Sequence, residues 1–334
     1  MKPILVITVD TEPDNSWQNG KSTENARFLP NFQKLCESFN FKPTYLTTYE
    51  MARDERFQAF GRDTLAREAG EIGAHPHPWS LPPFNDNQGF GGHTYLTELS
   101  EDSCRAKLSF LTDFLFDTFA VRPTSHRAGR WGFSEMVGRV LVGLGYRTDC
   151  SVTPGVSWAM HRGSSAGGPD YYGFNVSPYF LDLNDIRKKG DSSLLEVPVT
   201  IFPAYRPAML RVHHAIEKRV RLAAEAIRVL VGRPYLWLRP MPTLGNGLKE
   251  MLRVVELAMA EGLPVIEFMI HSSELIAGAN PYFTTEKEIG RLWDDVGKLF
   301  EYIHSLGITG STLSEYRQQF TEANSAKLGL PSTR

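Results

Sequence analysis

The chain has 334 residues, enough for one large domain or two ordinary ones, and a single α/β barrel commonly needs about 250 residues. Hydrophobic residues make up 42% and charged residues 22%, which is typical of a folded globular protein and excludes a chain that is disordered overall. Lys and Arg number 36 against 38 Asp and Glu, so the net charge is −2, and no dense basic stretch is present. This balance disfavours a nucleic-acid partner.

The cysteines and the apolar runs indicate the compartment. Cys36, Cys104 and Cys150 are far apart and odd in number, which predicts small core residues rather than a disulfide framework or a zinc knuckle. The apolar run at 4–9 is too short for a secretory signal, and no run reaches the roughly 18 apolar residues of a membrane span. We therefore expect a soluble, cytoplasmic protein without a membrane partner. The sequence does not indicate its oligomeric state.

Short apolar runs alternate with amphipathic segments, as expected when parallel strands are joined by crossover helices. The pattern predicts strands over 4–9, 44–47, 71–74, 124–127, 146–151, 194–201, 236–239 and 265–270. It predicts helices over 25–39, 98–119, 134–145, 208–231, 248–261 and 286–306. Glycine-rich stretches at 88–93 and 154–191 predict loops, the second as a long surface insertion. Since no linker divides the chain, one elaborated α/β barrel is expected.

Ionisable residues follow several of the predicted strands. Asp10 follows the first strand, His75 and His77 follow the third, Arg127 ends the fourth, and His271 follows the last. Parallel α/β barrels place their reactive groups at the carboxyl ends of the strands. We therefore expect these five side chains to line one cleft.

The segment His75-Pro76-His77 contains two imidazoles separated by a proline. A residue before proline favours extended or polyproline geometry, so a helix is not expected. In an extended segment both rings point to the same side and could bind one cation, whereas polyproline geometry would turn them partly apart. Because an arbitrary His-x-His is more often a pair of exposed loop histidines, a metal site needs a carboxylate nearby.

Asp10 and Glu12 could supply that carboxylate, because both share a face if the first strand continues. Two imidazoles and one carboxylate form an open metal site that leaves a position for water, and the other carboxylate could then act as a base. The alternative is a solvated acidic turn that caps the next helix. Spacing does not separate the two interpretations, and Asp14 is the next candidate ligand.

Three further residues have two interpretations each. His271 could donate a proton in the cleft or serve a structural role. Arg127 could hold a carboxylate with its planar fork or form a surface salt bridge. Glu196 could pair with a neighbouring cation or be solvated. Aromatic residues that could stack on sugar rings, or simply pack, are Trp131, Trp158, Tyr171 and Tyr172.

Five segments, in this order along the chain, carry a resemblance to a known family. They are Thr8-Val9-Asp10-Thr11-Glu12, His75-Pro76-His77-Pro78-Trp79, Arg127-Ala128-Gly129-Arg130-Trp131, Tyr146-Arg147-Thr148-Asp149-Cys150-Ser151-Val152 and His271-Ser272-Ser273-Glu274-Leu275. They resemble motifs of the polysaccharide deacetylase family, also called the NodB-homology domain or carbohydrate esterase family 4, and the resemblance runs from Ile4 to about Tyr316. It implies a distorted (β/α)7-8 barrel in a single catalytic domain over 1–320, with the insertion near 154–191 and a C-terminal tail over 321–334.

The resemblance also implies a function and a set of roles. The protein is expected to be a metal-dependent hydrolase that removes an N-acetyl group from a saccharide, with Asp10 as base, Arg127 orienting it and His271 as general acid. Glu12 and His75 are expected to bind a divalent metal, Zn²⁺. The family's second histidine would stand at position 79, which is Trp in this chain, so His77 is expected as a displaced third ligand.

Other functions remain open at this point. Because no leader segment is found, an intracellular saccharide precursor or a small amide is a better expected substrate than a cell-wall polymer. The same machinery could hydrolyse another small amide or a cyclic amide. Two His and one carboxylate also form the facial triad of non-haem iron oxygenases, although those normally use a double-stranded β fold. A non-catalytic saccharide-binding barrel is the last alternative.

Overall fold

The computed structural model describes residues 2–18, 20–84, 93–217, 234–242 and 245–327. Its strands alternate with helices along most of the chain, as the sequence pattern predicts. The strands are β1 (Ile4–Thr11), β2 (Pro43–Thr47), β3 (Glu71–Ala74), β4 (Ser125–His126), β5 (Thr148–Asp149), β6 (Tyr179–Phe180), β7 (Leu195–Glu196), β8 (Ile201–Pro203), β9 (Tyr235–Trp237), β10 (Val265–His271) and β11 (Gly310–Ser311).

The main sheet has the strand order β10-β1-β2-β3-β4-β5-β7-β6, and β11 also pairs with β1. Its pairings are parallel except for that of β6 with β7. β8 and β9 form a separate antiparallel pair. Backbone hydrogen bonds link this pair to β10, because Leu238 N–H donates to Thr200 and Met269 N–H donates to Leu238. The described strands therefore form the expected distorted (β/α) barrel.

The central strand β1 shows how the barrel is filled. Successive side chains of a strand point to opposite faces. Leu5, Ile7 and Val9 pack in the large apolar cluster beneath the helices. Val6 instead belongs to a smaller cluster that includes residues of β2, β7 and β10, and Asp10, on the same face as Val6, reaches the carboxyl end of the strand. The side chains on this face of β1 therefore fill the barrel interior at the amino end of the strand and supply a polar group at its carboxyl end.

The helices contribute apolar side chains to both clusters that pack on the sheet, and polar side chains satisfy N–H groups at several helix ends. Asp54 accepts from the N–H groups of Arg56 and Phe57, and Ser100 accepts from that of Ser103. The helices are α1 (Leu29–Glu37), α2 (Tyr49–Ala52), α3 (Glu55–Ala66), α4 (Glu101–Phe119), α5 (Glu135–Leu144), α6 (Pro207–Glu217), α7 (Leu248–Ala260), α8 (Glu286–Ser305) and α9 (Leu313–Lys327).

Several predicted elements differ from the structure. The helices α3 and α9 are missing from the prediction; the buried positions of α3 include a glycine and a threonine, which weakens its apolar periodicity. The predicted strand over 194–201 is wrong as one element, because it divides into β7 and β8 around Pro198, which has no N–H for a ladder. Helix α6 covers the first part of the predicted helix over 208–231, and residues 218–231 lie outside the described ranges. Residues 88–92 of the predicted loop also lie outside them.

The predicted insertion over 154–191 and the predicted C-terminal tail over 321–334 can be compared with the secondary structure of these segments. Residues 154–191 are irregular apart from β6 and a few isolated bridges. Helix α9 continues past position 320 to Lys327, so the division into a domain over 1–320 and a tail stays a prediction.

All three cysteines are buried and free, which confirms them as core residues. No described helix is both long enough and apolar enough to cross a membrane.

Candidate functional site

The carboxyl ends of the parallel strands open into a cavity of about 220 Å³. Five of the six predicted site residues line this cavity, and the sixth, Arg127, is fully buried and contacts Asp10. The register of the sheet explains the convergence, because Asp10 of β1 lies opposite His271 of β10 and β3 ends directly before His75. The sequence-predicted residues therefore meet at one place.

Three donor groups in this cavity could hold a metal ion. One ligand atom from each of Glu12, His75 and His77 lies within 4.8 Å of the others, and all three residues are buried. Nε2 of His77 lies 3.3 Å from Oε2 of Glu12, and Nε2 of His75 lies 3.9 Å from the same oxygen. Two imidazole nitrogens and one carboxylate oxygen are the donor set of an open zinc-type site, so the residues fit a divalent cation.

Hydrogen bonds orient these donors. Nδ1 of His75 lies 2.9 Å from the carbonyl oxygen of Arg127, and a proton on Nδ1 leaves the lone pair of Nε2 directed at the cavity. Burial lowers the pKa of His75 to about 4, so the ring is neutral near pH 7, the form that binds metals. The backbone of Glu12 is fixed by Ser272, whose Oγ accepts its N–H, and by Asn25, which donates to its carbonyl.

Gly129 determines the position of the His77 ring. A Cβ at this position would lie 2.6 Å from Cδ2 of His77 and 2.7 Å from the carbonyl oxygen of Pro76. Both distances are shorter than normal contacts, so any larger residue must move the ring or the backbone. Trp79 holds the ring from another side, stacked at 4.4 Å between centroids. Trp79, where the sequence resemblance implies a second histidine, thus packs on His77.

We expect Gly129→Ala to weaken metal binding about tenfold, because the added methyl displaces the His77 ring from Glu12. Zinc affinity is measured by competition with a chromogenic chelator. Gly290→Ala is the matched control, since a Cβ at Gly290 in α8 meets no atom within 4 Å. Equal zinc affinities for Gly129→Ala and wild type would contradict this role of Gly129.

Asp10 is held by a buried arginine. The Arg127 guanidinium donates to Oδ1 of Asp10 at 2.7 Å and to Oγ1 of Thr8 at 2.9 Å. Its other terminal nitrogen pairs with Glu267, which Thr8 also contacts. Burial opposes ionisation of Asp10, but the charges of Arg127 and two imidazoles outweigh it and lower the pKa of the Asp10 carboxyl. Sequence reasoning missed Glu267, although it is a single charged residue in an apolar strand.

His271 is held between a carboxylate and a second arginine. Its Nε2 lies 3.7 Å from Oδ2 of Asp10, while Nδ1 lies 3.2 Å from Oε1 of Glu274 and 2.9 Å from a terminal nitrogen of Arg239. Burial and Arg239 oppose protonation, but the charges of Glu274 and Glu12 raise the pKa of His271. Arg239 and Glu274 were missed, although Arg239 stands at the end of a predicted strand like the residues that were found.

Asp14, the alternative ligand, is engaged elsewhere. Its Oδ2 accepts from the hydroxyl of Ser22 and the N–H of Glu24, and its Oδ1 accepts from Asn25. The group of possible ligands among the described residues does not include it. The capping interpretation of the acidic turn therefore applies to Asp14, while Asp10 and Glu12 face the cavity.

Aromatic side chains form much of the cavity wall. Trp131 and Trp158 line it as a stacked pair with centroids 6.2 Å apart. Tyr171 is buried away from the lining, and its hydroxyl donates to the carbonyl of Trp131. Tyr172 stacks on His214 instead. Two of the four aromatic candidates thus face the cavity, and two have packing roles.

Glu196 is neither solvated nor paired with a cation in the described structure. It is fully buried, its Oε1 accepts from the N–H of Val152, and its carboxyl group lies beside that of Asp149. Burial and the neighbouring Asp149 raise its pKa well above the usual value. Asp149 itself contacts His126 and Ser151, so this network joins three strands of the barrel.

We expect Glu196→Gln to reduce the loss of stability at rising pH. Above pH about 4.5 the unfolded chain releases the Glu196 proton while the folded chain retains it, so wild-type stability falls with pH until the raised folded pKa is passed. Glutamine does not titrate, so the variant gains up to about 1.4 kcal/mol per pH unit relative to wild type in that window. Urea unfolding between about pH 5 and 8 measures the free energy of unfolding of wild type and variant at each pH. Glu301→Gln is the control, because Glu301 is exposed. Parallel curves for wild type and Glu196→Gln would contradict it.

Comparisons with known proteins are consistent with this architecture. No family model matches the chain, and no curated protein matches it. A solved structure described as a "putative polysaccharide deacetylase" from Mycobacterium smegmatis has 14% identity, covers 100% of this chain and 94% of that chain, and gives a TM-score of 0.56. A 4-alpha-glucanotransferase from Thermococcus litoralis has 13% identity over 95% of this chain but 40% of that chain, with a TM-score of 0.52. At these identities the similarity establishes the fold alone: the chain has the distorted (β/α) barrel fold of the solved structure described as a polysaccharide deacetylase.

Proposed function

We propose that this protein is a metal-dependent hydrolase that removes an N-acetyl group from a saccharide. The observation that carries the proposal is the meeting of the Glu12, His75 and His77 donors with Asp10 and His271 in one cavity. The deacetylase fold and the aromatic walls support a saccharide as substrate.

The three donors hold the cation in this proposal. We propose Zn²⁺, because two imidazoles and one carboxylate suit it and leave a coordination position open. When bound, such an ion polarises the amide carbonyl and lowers the pKa of water. The hydrogen bond from His75 to the Arg127 carbonyl and the packing of Trp79 on His77 fix the two rings before any ion binds.

Asp10 is the proposed base. Its Oδ1 is held by Arg127, while its Oδ2 faces the two imidazoles of His75 and His271 at 3.9 and 3.7 Å. Its lowered pKa keeps it ionised near pH 7, so it can accept the proton of a water that attacks the carbonyl carbon. Arg127 is a positioning residue, because it touches Asp10 and lies outside the cavity lining.

His271 is the proposed acid. The Glu274 carboxylate, with Oε1 3.2 Å from Nδ1, stabilises protonated His271, which presents Nε2–H on the side of Asp10. Its raised pKa favours this charged form. As the bond between carbonyl carbon and nitrogen breaks, His271 gives its Nε2 proton to the departing amine. The products are acetate and a free amino sugar.

Acetate release tests this function. We expect purified protein with Zn²⁺ to release acetate from N-acetylglucosamine oligomers and to lose this activity with a chelator. Hydrolysis of hydantoin or acetamide instead would support the other amide substrates. Oxygen uptake with Fe(II) would support the oxygenase alternative, whose usual double-stranded β fold this parallel barrel does not share. Absence of acetate from every sugar, or release that is insensitive to chelation, would contradict the proposal.

A further inference from the structure

Three arginines stand at or beside the cavity, and one of them differs from the others in its partners. Arg127 and Arg239 each pair with buried carboxylates. Arg130 lines the cavity, and none of its contacts within the described part of the chain is an ion pair with a carboxylate. Its positive charge therefore has no direct counter-charge there.

The Arg130 head is nevertheless fixed in place. One terminal nitrogen donates to the carbonyl of His93, and the other donates to the carbonyl of Arg162 at 2.9 Å. The guanidinium carbon lies 4.1 Å from the ring centroid of Tyr95. These partners are neutral, and two carbonyls accept only two of the five N–H donors that a guanidinium offers. The group is thus preorganised, with donors left for a ligand.

The backbone at this position is also unusual. Arg130 and Trp131 have consecutive positive φ angles of 54° and 63°, which residues with a Cβ rarely adopt. Such conformations cluster at functional sites, where surrounding contacts enforce them. Here they accompany the placement of the Arg130 side chain against Tyr95 and beside the cavity.

The charges around the cavity leave Arg130 unbalanced. The buried carboxylates of the site are Asp10, Glu12, Glu267 and Glu274. They carry four negative charges, whereas Arg127, Arg239, protonated His271 and a divalent cation held as proposed above carry five positive charges. Glu98, which lies near Tyr95, accepts N–H groups from Tyr95 and from residues 164–166. None of these carboxylates therefore neutralises Arg130, whose positive charge lines the cavity beside tryptophan side chains.

We infer that the cavity binds an acetamido sugar that carries an oxyanion, either carboxylate or phosphate, and that Arg130 is the residue that selects it. The acetamido part of this inference rests on the proposed function. The planar fork of a guanidinium matches the paired oxygens of both anions, and charge-assisted hydrogen bonds are stronger than neutral ones. Trp131 and Trp158 line the same cavity and supply apolar surface for the sugar ring.

Binding of three related sugars tests the inference. The probes are methyl N-acetylglucosaminide, the corresponding methyl uronide with a carboxylate at C6, and N-acetylglucosamine 1-phosphate. Quenching of tryptophan fluorescence on rapid mixing with the zinc-loaded protein gives each Kd before products accumulate. We expect wild type to bind at least one anionic sugar about tenfold more tightly than the neutral sugar. The anion that is preferred identifies the carboxylate or the phosphate as the natural group.

Variants assign the preference to Arg130. We expect Arg130→Gln to abolish the preference and Arg130→Lys to retain part of it, because lysine keeps the charge without the fork. Arg162→Gln removes the same charge from an exposed position outside the cavity lining, so it should keep the preference. Equal affinities for all three sugars in wild type would overturn the inference. A preference that survives in Arg130→Gln would do the same, because the cation alone would then bind the anion.

Acetate release from the same sugars separates this inference from the proposed function. Tighter, Arg130-dependent binding of an anionic sugar without acetate release would uphold the inference and contradict the hydrolase. Equal binding and equal acetate release from neutral and anionic sugars would uphold the hydrolase and overturn the inference.

Discussion

Replacing Asp10 with asparagine is expected to lower kcat for acetate release about a thousandfold while leaving the zinc content unchanged. Asparagine keeps the size of the side chain, and its oxygen can still accept from Arg127 at the position of Oδ1. Its amide nitrogen, however, cannot accept a proton from water. Because Asp10 is not one of the three grouped donors, the cation should remain bound.

Steady-state acetate release and elemental analysis of the same preparation check this prediction. Asp14→Asn is the matched control, since Asp14 is another buried acid of the same segment but caps the turn at Ser22 and Glu24. That variant should lose thermal stability and keep most of its turnover. An Asp10→Asn enzyme with more than about a tenth of wild-type kcat would show that the base is another group.

Replacing His77 with alanine is expected to remove the metal. His77 supplies one of three donors, and its Nε2 lies 3.3 Å from Oε2 of Glu12, closer than Nε2 of His75 at 3.9 Å. Loss of a ligand should weaken zinc binding by more than about 100-fold, the upper range for loss of a supporting hydrogen bond. Acetate release should fall in parallel.

Zinc content after dialysis, together with thermal unfolding to verify the fold, measures this effect. His93→Ala is the control, because His93 lines the same cavity and stacks on Trp79 but is not in the donor group. It should retain stoichiometric zinc. If His77→Ala kept its zinc as wild type does, the third ligand would have to be a different residue.

One positional rule accounts for what the sequence could predict about the site. Parallel strands bring their carboxyl ends together, so Asp10, His75 and His271 could be placed in one cavity without knowledge of the chain's three-dimensional path. Their chemical roles stay predictions. Arg239 obeys the same rule and could have been found, whereas Glu267 lies inside a strand, and only the register shows that it faces the barrel interior.

Other features depend on conformation that residue types do not specify. Arg130 lines the cavity in a turn where Arg130 and Trp131 both have positive φ angles. Neither position holds a glycine that would indicate such a turn in the sequence. The displaced ligand His77 depends on the ring packing of Trp79 and on the space that Gly129 leaves. The sequence left open whether Glu196 pairs with a cation or is solvated. In the structure it is buried beside Asp149, which matches neither interpretation. Local backbone conformation and side-chain packing, which residue types alone do not specify, decide these cases.

Anomalous scattering at the zinc absorption edge, from crystals of the zinc-loaded wild-type protein, tests the central claim most directly. We predict one strong peak with Oε2 of Glu12 and Nε2 of both His75 and His77 at about 2.0–2.2 Å, beside Asp10 and His271. A cavity without such a peak at full zinc loading, or zinc bound to other side chains, would contradict the account.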